Sequence, residues 1–220
     1  MKNGIKIIVS LSIIFLLLSC NKRRQVDIEG RVYNPVTQEG IAGAELWLLK
    51  SGPITEFYGG YERVETVYSD ANGNFKVNVK SAKAEILRLG DMHGEYYNIG
   101  WYKNGSKLPS DLPVEQGKNM KADFYAVPYG SSKANIVNIN CQGVTDTAYF
   151  KLKYILSPSL YDYWSLPKTG CYSHSDATSS KRPIGEYIWI TKVIRSGNTS
   201  YQYDTVSISE SGVSIFNINY

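Results

Sequence analysis

The sequence predicts an all-β protein built as two consecutive β-sandwich domains behind a cleaved N-terminal leader. Two observations carry the fold class. From residue 26 to 219 the chain runs in short segments that alternate apolar and polar residues, the period of a half-buried strand, separated by clusters of Gly, Pro, Asn and Asp. Tyrosine, which favours strands and amphipathic surfaces over helices, reaches 18 of 220 residues. A third observation carries the leader: the one long apolar run, 7–18, follows Lys2 and Lys6 at the start of the chain. Hydrophobic residues make up 43% of the chain, enough for packed cores rather than extended disorder.

The leader occupies residues 1–19. Its apolar run of 12 residues is interrupted only by Ser10 and Ser12. That is shorter than the roughly 20 residues a spanning helix needs, and it lacks the polar face of a buried core helix. The run ends in Leu17-Leu18-Ser19-Cys20, which resembles the lipobox of bacterial lipoproteins. The resemblance implies that the Cys20 thiol accepts diacylglycerol as a thioether, that the chain is cut after the small Ser19, and that palmitate-like acyl chains hold the product on a membrane. Leu18 is larger than the residue often found there. An ordinary secreted protein with an incidental Cys20 is the alternative. The anchor places the chain in the cell envelope, at the outer membrane. A tether follows at 20–25. The acidic tether of some Bacteroidetes lipoproteins resembles a surface-export signal, but Lys22, Arg23 and Arg24 make this one basic, and either membrane face is compatible with it. Loss of Lys2 and Lys6 leaves 22 cationic against 20 acidic residues, a net +2. No dense basic stripe remains, which excludes nucleic acid as a natural partner.

In the first domain, 26–130, an alternating strand over 26–33 breaks at Asn34-Pro35. Residues 40–44 lead into a second strand over 45–49, and 63–68 form a third. Asn72-Gly73 supplies the positive φ angles of a tight hairpin turn. Strands over 75–79 and 85–89 follow. The blocks Gly30-Arg31-Val32, Gly40-Ile41-Ala42-Gly43-Ala44-Glu45-Leu46 and Ser69-Asp70-Ala71-Asn72-Gly73-Asn74-Phe75 resemble the carboxypeptidase regulatory-like family, a pattern that shades into Cna-B-type modules. The resemblance covers roughly 26–90 and weakens through 91–118. Ala122-Asp123-Phe124-Tyr125-Ala126-Val127-Pro128 looks like the family's closing strand. It implies a transthyretin-like sandwich of seven strands and a non-catalytic module with no catalytic residues to carry over.

The second domain, 131–220, starts with strands over 134–140 and 148–155. A long loop over 156–183 precedes strands over 186–194, 201–207 and 213–219. Ser196-Gly197 marks the hairpin between the first two of these last three. No helix longer than a turn or two is expected.

Candidate chemistry is sparse. In an exported chain Cys141 and Cys171 form an even pair that closes a 30-residue span, either as a disulfide or as two buried thiols; a bridge of that length contributes about 3 kcal/mol. His93 and His174 are too few for a zinc site, so no metal or other cofactor is expected. His174 lies near Cys171 without a group to orient it as a base. The 70–74 turn departs from a calcium loop, with its glycine fourth and Ser81 at the twelfth position. Gly-x-Ser-x-Gly and phosphate-binding glycine loops do not occur. Asp146-Thr147-Ala148 and Asp204-Thr205-Val206 resemble the Bacteroidetes O-glycosylation triplet.

Aromatic clusters are the remaining clue to binding: Tyr58 and Tyr61; Tyr96, Tyr97, Trp101 and Tyr102; Tyr161, Tyr163 and Trp164. Exposed rings stack on sugars and anchor protein interfaces, while strands also use tyrosine for packing. The expected function is therefore a non-enzymatic, membrane-anchored envelope lipoprotein that binds a protein or glycan partner or serves as a structural part. The alternative is an envelope glycan-acting enzyme, for which paired carboxylates among Asp162, Asp176 and Glu186 of the second domain are available.

Overall fold

The computed structural model describes residues 25–54, 60–81, 83–90, 92 and 94–220. Every regular element among them is a strand, and none is a helix long and apolar enough to cross a membrane. The chain divides into two compact units, Met1–Gly94 with Gly100–Ala126, and Glu95–Ile99 with Val127–Tyr220. The division thus falls before the expected 130/131 boundary, and a short segment upstream joins the second unit.

The first unit uses β1 (Gln25–Tyr33), β2 (Glu45–Ser51), β3 (Tyr61–Tyr68), β4 (Asn74–Lys80), β5 (Ala84–Leu89), β6 (Tyr96–Lys103), β7 (Ser106–Lys107), β8 (Leu112–Pro113), β9 (Asn119–Lys121) and β10 (Asp123–Val137), with β6 and β10 continuing into the other unit. In one sheet β1 pairs antiparallel with β4 and parallel with β9 and β10, and β6 and β7 follow beyond β10. The other sheet runs β3-β2-β5-β8. Alternation sorts the side chains. Val26, Ile28 and Val32 of β1 and Val77 of β4 are fully buried, as are Leu46, Leu48, Leu49, Leu87 and Leu112 of the facing sheet. Each contributes roughly 1.5–3 kcal/mol by leaving water. Glu29, Arg31 and Tyr33 of β1 face outward.

The three sequence blocks of the resemblance meet in one hydrogen-bonded corner. Val32 N donates to Gly73 O and Ile41 N to Val32 O. The Ser69 hydroxyl accepts from Ala44 N and donates to Ile41 O. Gly40 is packed so closely that a Cβ there would lie 1.9 Å from Asn72 O, and Gly73 adopts φ +79°, where a Cβ would lie 2.2 Å from Val32 O. Only glycine fits where these backbones touch.

The second unit adds β11 (Thr147–Tyr154), β12 (Lys168–Thr169), β13 (Ser173–Ser175), β14 (Ser180–Pro183), β15 (Gly185–Arg195), β16 (Asn198–Ile208) and β17 (Val213–Asn219). One sheet runs β12-β11-β15-β16; in the other, β10 pairs with β13 and β14 on one side and parallel with β17 on the other. Two expectations are corrected. The expected long loop over 156–183 holds three short strands, because β10 and β11 need partners along otherwise open edges. The separate strands expected near 122–128 and 134–140 are one strand, β10. Gly130-Ser131-Ser132, which reads as a break, is paired on both flanks, and a Cβ on Gly130 would meet Ser209 O at 2.1 Å. Stacked Tyr154 and Tyr187 fill the core, each donating its hydroxyl to a backbone carbonyl, of Ile184 and Pro183 respectively. Burial pushes both phenols well above the ordinary tyrosine range.

Candidate functional site

The outward face of the first unit's β1-containing sheet carries a groove of about 780 Å³, within the size range of small-ligand sites. Its floor follows from strand parity. Phe124 turns into the core, so Tyr125 turns out; Trp101 turns in, so Tyr102 turns out. The Tyr102 and Tyr125 rings stack, with centroids 3.9 Å apart and planes at 14°. Tyr33 supports Tyr125 at 4.8 Å, and the Arg31 guanidinium lies 5.3 Å from the centre of the Tyr33 ring. Burial, then a hydrogen bond with Tyr125, drive the Tyr33 phenol far above its ordinary range. Burial raises the Tyr102 phenol as well, so the Tyr33 and Tyr102 hydroxyls stay protonated donors at physiological pH.

The hydrogen-bonded corner forms one wall, through Asp70, Asn74 and Tyr68, and the Asn104-Gly105 turn forms another. Lys76, Glu29 and Lys121 form a rim, in which Lys121 pairs with Glu29 at 2.8 Å. The groove is lined by Glu29, Asp70 and Asp123 against Arg31, Lys76 and Lys121, three charges of each sign. Each carboxylate is engaged. The Lys121 ammonium holds the Glu29 carboxyl below its usual range, and backbone and side-chain hydrogen bonds from Asn74 do so for Asp70. Asp123 accepts the backbone N–H of Arg31 at 2.9 Å. A charge-balanced wall of donors and acceptors beside an aromatic floor suits a neutral, hydroxyl-rich ligand.

Of the candidate residues read from sequence, Tyr102 lines the groove and the others fall elsewhere. Cys20, Tyr58 and His93 lie outside the described residues. Trp101 is corrected from a binding aromatic to a core residue: it is 2% exposed and packed edge-on against Phe75 and Phe124. Tyr97 packs on Tyr154 and donates to Ser157 Oγ, and Tyr96 is half-buried. Tyr61 lies beneath the Arg88 guanidinium, and Tyr161 beneath that of Arg182. Tyr163 and Trp164 are exposed, with Lys151 over the Trp164 ring. Cys141 and Cys171 are joined by a disulfide, Cα–Cα 5.2 Å, which leaves His174 no thiol to activate. The carboxylates of the enzymatic alternative are engaged separately or apart: Asp162 pairs with Lys151, Asp176 accepts from His174 and from Ala134 N, and Glu186 stands exposed on β15. No group of three or more His, Cys, Asp or Glu fit to hold a metal occurs among the described residues. Tyr33, Tyr68 and Tyr125 were missed by reading clusters; the alternation within 28–33 and 122–128 marks Tyr33 and Tyr125 as outward-facing.

No family model and no curated protein matches the sequence. Among solved structures, the chain is similar to a DUF3823 family protein from Parabacteroides merdae, at 11% identity over 84% of this chain and 98% of that one, TM-score 0.28. It is similar to a Streptococcal ancillary pilin at 12% identity over 89% and 62%, TM-score 0.30. A leucine-rich repeat protein from Bacteroides thetaiotaomicron aligns at 10% identity over 90% of this chain, TM-score 0.27, and the chain spans only 26% of its length. Likeness at this level assigns neither family nor function.

Proposed function

We propose that the chain is a non-enzymatic envelope lipoprotein, anchored through Cys20, whose first unit binds a neutral glycan in the Tyr102–Tyr125 groove. The stacked tyrosine floor within a charge-balanced polar wall carries the reading. Sugar rings present an apolar face and hydroxyls that both donate and accept, and the groove supplies a surface for each. Three carboxylates already engaged leave no free acid–base pair there, so binding fits better than hydrolysis.

Binding of the full chain to an array of neutral and anionic oligosaccharides tests this. Retention of neutral sugars is expected, with affinity falling at least tenfold in Tyr102→Ala and Tyr125→Ala. Capture of anionic glycans alone, or binding indifferent to both substitutions, sinks the proposal.

A further inference from the structure

The second unit leaves a long strand edge open. Strand β16 lies at the margin of the β12-β11-β15-β16 sheet, and its 11 residues pair with β15 in an unbroken register from Arg195↔Asn198 to Gly185↔Ile208. The two-residue turn Ser196-Gly197, with φ of 49° and 80°, makes Arg195 and Asn198 a hydrogen-bonded pair. Bonded pairs then alternate, so the even residues of β16 bond to β15. The backbone N–H and C=O groups of Thr199, Tyr201, Tyr203, Thr205 and Ser207 point away from the sheet. Among the described residues no hydrogen bond reaches these outward groups.

The margins at β3 and β4 carry the usual protection against edge pairing. Strand β3 has Glu62, Arg63 and Glu65, and its register with β2 is broken by an irregularity at Leu48/Leu49. Strand β4 carries Lys76 and Lys80. Strand β16 has no lysine, no proline and no bulge. Its one charge, Asp204, is half-buried and accepts the Gln202 amide at 2.9 Å. Tyr201 and Tyr203 stand 53% and 66% exposed.

We propose that β16 pairs antiparallel with β16 of a second copy of this chain, about a two-fold axis at Tyr203. The sequence of the strand argues for a copy of itself. Centred on Tyr203, all eleven residues overlap and the outward groups meet as bonded pairs: Tyr203 with its counterpart, Tyr201 with Thr205, Thr199 with Ser207. These are aromatic, aromatic–β-branched and hydroxyl pairs of the kind that stabilise sheets. On the other face Asp204 meets Gln202, its hydrogen-bonding partner within the chain, and no like charges oppose. Moving the centre to Asp204 would set two aspartates against each other. The resulting contact is self-complementary, as a two-fold interface must be. This inference is independent of the glycan groove.

Sedimentation of the full chain, solubilised in detergent, tests the dimer. The parent is expected to be dimeric. Tyr203→Lys sets two cations opposite each other, and Thr205→Pro removes a donor that β15 does not use. Both are expected to weaken the dimer more than tenfold while keeping the parent's circular dichroism. A monomeric parent, or a dimer indifferent to both substitutions, overturns the proposal. Cross-linking tests the register without depending on those variants. Bonded antiparallel pairs hold Cα atoms about 5.5 Å apart, within disulfide reach. Tyr203→Cys alone is expected to form a covalent dimer, whereas Tyr201→Cys needs Thr205→Cys as its partner. Equal cross-linking of Tyr203→Cys and Tyr201→Cys, or of neither, overturns the register and with it the two-fold pairing.

Discussion

Gly40 stands at a tight point of the corner that builds the groove wall. A Cβ there would lie 1.9 Å from Asn72 O and 2.7 Å from Gly73 N, both backbone atoms that cannot rotate aside. Gly40→Ala must therefore move the 70–74 turn. Overpacking of this kind costs about 1–3 kcal/mol, and a urea midpoint unchanged from the parent would show the corner to be looser than described. Asp146 makes a different kind of contribution. It is 2% exposed, and its Oδ2 accepts Gln142 N at 3.0 Å and Arg195 Nε at 3.2 Å. The Gln142 N–H, helped by Asn138 and Arg195, holds the carboxyl below its ordinary value of 3.8 against the opposing effect of burial. A carboxyl with a lowered folded pKa binds protons more weakly folded than unfolded. Its stabilisation is complete above the unfolded value and is lost as pH falls through the folded one. Acid melts of the parent and Asp146→Asn below about pH 4 are expected to converge, the parent being more stable at neutral pH. Curves that stay parallel to low pH would remove Asp146 from this role.

The disulfide acts on elements rather than on one contact. It ties the turn before β11 to the segment between β12 and β13, so the two short strands that flank Cys171 are held by one closure of 30 residues. Cys141→Ala with Cys171→Ala is expected to cost about 3 kcal/mol of stability and to expose amides of β12 and β13 to hydrogen exchange. Glycan affinity of the other unit is expected to stay unchanged. Exchange rates equal to the parent's would show these strands to be held by pairing alone. Those strands were not legible in the sequence, since Lys168–Thr169 and Ser173–Ser175 are too short for a period-two pattern and exist only through neighbours distant in the chain. Strand β16 was legible from its alternation and its Ser196-Gly197 turn, but whether it lay centrally or at an edge was set by tertiary pairing. The groove shows the same division. Trp101 and Tyr102 are adjacent aromatics on opposite faces of β6, so a reading by clusters takes both, although Trp101 faces the core and only Tyr102 reaches the groove. Parity within the strand assigns Tyr102 to the groove once the buried neighbour is known.

At the scale of the molecule, function depends on where the two units are held. Under the proposed anchoring, Cys20 carries two or three acyl chains, and each buried methylene contributes about 0.8 kcal/mol. Lys22, Arg23 and Arg24 of the tether add roughly 1 kcal/mol each near an anionic surface, and salt screens that contribution. The lipid therefore dominates by a wide margin. The parent is expected to need detergent for extraction and to incorporate labelled palmitate, whereas Cys20→Ser leaves only the cationic contacts and is expected to wash off in high salt or to persist as an uncut precursor. Globomycin, which blocks the lipoprotein peptidase, is expected to hold the parent at precursor mass. A treated host that still released a cleaved, lipid-free chain would show export by an ordinary signal peptide. The glycan groove and the open β16 edge would then belong to a freely diffusing protein. Pairing through β16 would in that case depend on bulk concentration, whereas a membrane anchor confines copies to two dimensions and favours the dimer at the same copy number.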